Sequence, residues 1–210
     1  MMEIKTKFNT KGITLIELLV ALLIGGIIIA GIYRVIIAQS KAYVFQDQIV
    51  ETQQNIRSAM EILSRDLRMT GFNGDNTPLT PYITPGTNNI TIFYQQNGAV
   101  RQVSYNLLPD PVDGNLRLMR SQVPPDSPPS EAGGDPILTD VNVLNFTYGI
   151  DTDEDGMVNN WVSAGATGTS RIIAVQVLLT AKPAQVNPDL NAATPRTLQS
   201  TVTLRNLCLR

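Results

Sequence analysis

Two groups of residues in this chain have the types and spacing to do chemistry. The first is Asp151-Thr152-Asp153-Glu154-Asp155-Gly156-Met157-Val158-Asn159. Carboxylates at alternate positions, then a glycine for a sharp turn, let several oxygens converge on one hard cation. Asp151, Asp153, Asp155 and Asn159 offer side chains and the seventh residue, Met157, its backbone carbonyl, so the pattern predicts one calcium site. Val162 stands where the twelfth-position bidentate glutamate of an EF-hand would be, and the site must borrow an oxygen or use water. A solvated acidic turn is the competing reading. The second group is Glu17 inside the apolar run from Ile13 to Ile32. About 20 apolar residues in a helix cross a hydrocarbon core, and an acid within such a span costs roughly 2.5 to 3.5 kcal/mol on insertion scales, so it needs a partner. A cut between Gly12 and Ile13 would create an ammonium at the i to i+4 spacing from Glu17, where opposite charges meet on a helix.

The elements that position these groups follow from periodicity. From Arg34 the chain changes from apolar all round to one-sided. Ile49, Ile56, Met60, Leu63 and Leu67 form one face of a continuing helix, with no proline before Pro78. The helix is expected from about Ile13 to about Met69, with Gly71 as its C-terminal cap. Arg65, Asp66 and Arg68 on it read as partner contacts or as solvated charges. Gly25, Gly26 and Gly31 fit close helix packing in a bilayer or local loosening of the helix. After Gly71, turn formers separate candidate strands at 89–94, 100–106, 116–120, 141–150, 171–180 and 201–207, most of them alternating as one-face-buried antiparallel strands do. The segment 121–136, rich in proline, reads as a loop that cannot be a central strand. Helix first and strands afterwards is an α+β order.

Composition narrows the function. The chain has 210 residues, 43% hydrophobic, net charge −2 and no histidine. Without residues 1–12 the count is 13 basic against 17 acidic, which offers no basic face for nucleic acid. The absence of histidine removes the commonest general base and zinc ligand together. Ser104, Ser163 and Ser170 lack an activating base, and Gly165-Ala166-Thr167-Gly168 lacks the lysine of a phosphate loop, so no enzyme is expected. The lone Cys208 reads as a small buried apolar residue or as a thiol for an intermolecular contact. Lys5, Lys7 and Lys11 keep the N-terminus cytoplasmic by the positive-inside bias. An ordinary secretory signal cut near Ala38-Gln39-Ser40 is the competitor, but its core rarely holds a glutamate and runs only about 7 to 15 residues.

The segment Gly12-Ile13-Thr14-Leu15-Ile16-Glu17 and the apolar helix behind it resemble the prepilin-type cleavage and methylation segment of type IV pilins and type II secretion pseudopilins. Ile13 stands where the family usually has phenylalanine. The resemblance implies a membrane peptidase cutting after Gly12, methylation of Ile13, and Glu17 as the residue that docks subunits into a filament. The stretches 51–57 and 62–72, Phe146-Thr147-Tyr148-Gly149-Ile150 and the closing 203–207 are similar to PilW-type minor pilins, which also resemble the J-type pseudopilin. These likenesses imply a type IV pilin-like α+β fold, with a leader at 1–12, a membrane or filament-core helix at 13–33, an amphipathic continuation at 34–70 and a β-rich domain at 71–210. The implied partners are other minor and major pilins, the prepilin peptidase and, before assembly, inner-membrane lipid. The implied place is the inner membrane with the C-terminal domain periplasmic, then the pilus, where the subunit primes assembly or sits at the tip. A J-type pseudopilin or a tethered calcium-dependent adhesin are the alternatives.

Overall fold

The computed structural model describes residues 12–74, 81–96, 98–123, 134–183 and 194–208. It divides into two units, the residues up to Gln46 and Asp47–Arg210. In the first unit the described chain is the opening part of helix α1 (Leu15–Met69), which runs unbroken through Gly25, Gly26 and Gly31 with open space around each glycine.

Among the described residues the second unit holds the rest of α1 and nine strands. Strands β1 (Ile83–Pro85), β2 (Ile90–Gln96), β3 (Ala99–Pro109), β4 (Leu116–Val123) and β5 (Asp135–Leu138) form one antiparallel sheet in chain order. Strands β6 (Val141–Asp151), β7 (Asn160–Val162), β8 (Arg171–Ala181) and β9 (Arg196–Thr203) form a second, in the order β7-β6-β8-β9. A short helix α2 (Arg205–Cys208) closes the described chain. The α+β expectation holds, with the strands divided between two sheets.

The buried stripe of α1 is Thr52, Ile56, Ala59, Met60, Leu63, Asp66 and Leu67. It meets Ile92, Val103, Tyr105 and Leu118 of the first sheet and Leu144, Phe146, Val175 and Val177 of the second in one apolar core. Burying a side chain of this size contributes about 1.5 to 3 kcal/mol, so the stripe fastens the helix end to both sheets. Tyr148 joins the sheets directly. Its hydroxyl donates to the Gly86 carbonyl at 2.7 Å and accepts from the Gly86 N–H at 2.9 Å, and Phe146 N–H reaches the Thr87 carbonyl at 3.0 Å. Burial pushes the Tyr148 phenol up to about 12, so it stays a neutral donor at neutral pH.

The helix stops where expected. Gly71 has φ of +70°, in the region where a side chain is strained, and its N–H leaves the helix to bond the Phe93 carbonyl at 2.9 Å. A Cβ there would come within 2.5 Å of Leu207 Cδ2, so the backbone angle and the space both exclude a larger residue. Asn206 Nδ2 donates to the carbonyls of Arg68 and Thr70 at 3.2 and 3.1 Å, satisfying carbonyls that a helix end leaves open.

Two strand expectations need correction. The segment 121–136 is strand at both ends, since β4 runs to Val123 and β5 contains Pro136. β5 lies at a sheet edge, where a missing N–H removes no ladder bond. Pro85 ends β1 at the opposite edge for the same reason. The last strand is β9 at Arg196–Thr203, and Arg205–Cys208 is helical, because Leu204 and Leu207 are three apart and bury a helical turn rather than a strand face.

Candidate functional site

The N-terminal site is built on the first turn of α1. Thr14 caps it. The Glu17 N–H donates to Thr14 Oγ1 at 3.3 Å and the Leu18 N–H to the Thr14 carbonyl at 3.2 Å. Threonine followed three residues later by glutamate is the spacing of a capping box, and the macrodipole favours an acid in this turn. Glu17 therefore sits where a helix start tolerates it best, a role for Thr14 that the sequence reading missed although the Thr-x-x-Glu spacing was visible. Gly12, Ile13 and Glu17 are exposed. From Ile13 to Ile36 the large apolar side chains are all exposed, Ile13 and Leu15 by 75% and 79%. By length and composition α1 can cross a membrane.

The acidic site is the connection between β6 and β7. Ile150 pairs with Asn160 and Gly149 with Trp161, which brings the two ends of the loop together. Glu154 and Gly156 have φ of +63° and +80° and fold the chain back over Asp151. One carboxylate oxygen from each of Asp151, Asp153 and Asp155 lies within 4.8 Å of the others. Asp151 is buried at the end of β6, while Asp153 and Asp155 are exposed. Asp151 accepts the N–H groups of Glu154 at 2.7 Å and Gly156 at 3.0 Å. Burial works to raise its pKa, but these two N–H groups, with Asp153 and Arg171, hold it below the usual carboxylate value.

Asn159 Oδ1 accepts from Thr152, from its N–H at 2.7 Å and its Oγ1 at 3.2 Å, and so closes the loop. The Met157 N–H donates to Asp155 Oδ1 at 2.7 Å. The structure thus brings three of the five expected ligands together, and gives Asn159 and Met157 hydrogen bonds within the loop. An all-oxygen donor set of this kind fits a hard divalent cation.

A third constellation was misread from sequence. Asp66 is buried on the inner face of α1, not solvated. Its Oδ2 accepts the Tyr105 hydroxyl at 2.5 Å and Arg120 Nε at 2.6 Å. Burial and the neighbouring carboxylate hold the Tyr105 phenol well above its ordinary value. Burial works against the Arg120 charge, yet the Asp66 hydrogen bond and charge keep its pKa raised. The signal was available, since 66 lies three after Leu63 and seven after Ala59, on the buried stripe.

Comparison with known proteins bears on two regions, the N-terminal segment and the later strands. A model of the prokaryotic N-terminal methylation motif matches residues 7–33, and one for the type IV pilus-assembly protein W, PilW, matches residues 104–206. No curated protein matches the chain. Among solved structures, a type IV-like pilin, TTHA1219 from Thermus thermophilus, is similar at 14% identity over 74% of this chain and 96% of its own, with a TM-score of 0.48. The methylation motif over an exposed apolar helix, followed by antiparallel sheets packed on that helix's later half, defines a type IV pilin-like protein. Within that class the stretch from β3 to α2 is similar to the PilW type of pilus-assembly protein.

Proposed function

We propose that the chain is made as a prepilin, cut between Gly12 and Ile13, and methylated on the new Ile13 amine. Residues 13–33 hold it in the inner membrane with the leader in the cytoplasm, 34–70 continue the helix, and 71–210 form the periplasmic domain. It then joins other minor and major pilins through Glu17 as a low-abundance subunit that primes assembly or caps the tip. The observation that carries this reading is the exposed apolar surface of α1 from Ile13 to Ile36, which water does not tolerate and which lipid or neighbouring helices would cover. Intact-mass measurement of the membrane-extracted protein tests it. The expected species begins at Ile13 and carries one added methyl group; a species beginning at Met1 or Lys41 overturns the proposal.

The loop at 151–159 is proposed to bind one calcium ion through Asp151, Asp153 and Asp155, with Met157 and Asn159 completing it by carbonyl or through water. Three carboxylates this close repel one another, and a cation would relieve that. Extracellular calcium modules work with dissociation constants of about 10⁻⁴ to 10⁻³ M, so a site without the twelfth-position glutamate suffices outside the cell. Asp153→Ala is expected to lower the melting temperature in millimolar calcium and leave it unchanged in chelator. Equal melting of both proteins in both buffers leaves an acidic turn.

A further inference from the structure

The edges of the two sheets are not alike. β1, β5 and β7 are edge strands of three, four and three residues, short enough to discourage pairing. β9 is an edge of eight residues, Arg-Thr-Leu-Gln-Ser-Thr-Val-Thr. Beyond Arg196 it has no charge or proline to blunt it, and among the described residues no strand pairs with its outer side. An exposed row of unpaired N–H and C=O groups this long is a template for another strand.

The space beside β9 carries a definite charge. A groove of 630 Å³ between α1 and β9 is lined by Arg57, Met60, Arg65, Arg68 and Leu198, with Glu61 the single acid among the described residues that line it. It meets a second of 460 Å³ that shares Arg57 and Leu198 and adds Arg196. Among the described residues these four guanidinium groups make no ion pair with an acid, and Arg196 Nε is shielded from solvent with no hydrogen-bond partner, a costly arrangement. Leu198 and Met60 supply an apolar floor.

We infer that β9 and this groove accept an extended acidic segment of a neighbouring pilus subunit, which adds as a strand to β9 and lays carboxylates along Arg57, Arg65, Arg68 and Arg196. That the donor is a pilus subunit rests on the function proposed above; the strand site does not. Strand addition draws affinity from main-chain bonds and specificity from the side-chain groove, and guanidinium groups hold carboxylates in a planar, bidentate manner.

The test uses the full chain in detergent with two eight-residue peptides, one alternating glutamate and valine, the other with lysine for each glutamate. The acidic peptide is expected to bind saturably and to slow amide exchange across β9. The pair R65E/R68E should weaken that binding about tenfold or more without moving the melting temperature, and should lower recovery of the protein in sheared filaments. Equal binding of both peptides, protection away from β9, or a variant that binds as the parent does overturns the site. Equal protection of β9 by anionic vesicles assigns the groove to a lipid surface and overturns it as well. Filament entry that is lost in a Glu17 variant but kept by R65E/R68E leaves the pilin reading standing and removes this one.

Discussion

Glu17→Val is expected to give a protein that is cut and held in the membrane yet missing from filaments. Valine makes the span more apolar, so insertion improves, by less than the roughly 2.5 to 3.5 kcal/mol that a charge costs at the centre of a span. Thr14 remains to cap the first turn through its own oxygens, so the helix start survives. What valine removes is the charge that would meet the terminal ammonium of a neighbouring subunit, at a depth where little water screens the pair. Comparing the sheared fraction with the membrane fraction reads the effect, and recovery should fall by an order of magnitude or more, since each 1.4 kcal/mol of lost pairing is about tenfold. Normal recovery of the valine protein in fibres would end the idea that this carboxylate docks subunits.

The largest loss of stability is expected at Asp66. Asp66→Ala takes from Arg120 Nε and the Tyr105 hydroxyl the acceptor they share inside the domain, leaving Arg120 only its bond to Gln122. Breaking a buried pair from one side costs about 3 to 5 kcal/mol, and because the Arg120 side chain is 23% exposed the low end applies. About 3 kcal/mol is a large share of the 5 to 15 that hold a typical domain together, and for a domain of this size it lowers the melting temperature by about 6 to 12 °C. Replacing both charges at once, Asp66→Leu with Arg120→Met, should recover much of that loss, because two apolar groups leave nothing unpaired. If Asp66→Ala melts with the parent, the triad does not hold α1 to the first sheet.

Much of this was legible in the sequence for simple reasons. The helix is set by all-round apolarity followed by a 3.6-residue stripe, and its end by Gly71, whose positive φ is what such a cap requires. Strands β2, β3, β4, β6 and β8 are flagged by alternation or by β-branched runs. β1, β5 and β7 are too short to show a period, and two of them contain proline. β9 was displaced because its inward face carries Arg196 and Ser200 beside Leu198 and Val202, so apolar alternation fades just where the strand begins. The division into two sheets depends on which strands pair at long range, which single-strand patterns do not encode. At the acidic site the spacing of Asp151, Asp153 and Asp155 was enough, since a hairpin brings alternate residues of a tight turn together. Asp66 was missed because charged side chains are rarely buried, although its place on the stripe pointed inward. Residues 124–133 and 184–193, and the side chain of Cys208, lie outside the described residues.

A fibre bears tension, and a subunit in it must resist one layer sliding past the other. The apolar core resists separation well but sliding poorly, because oily surfaces have no direction. The Tyr148 hydroxyl supplies direction. By giving and taking a hydrogen bond at the same residue, Gly86, it works as a stitch in shear, seconded by the Phe146 N–H on the Thr87 carbonyl.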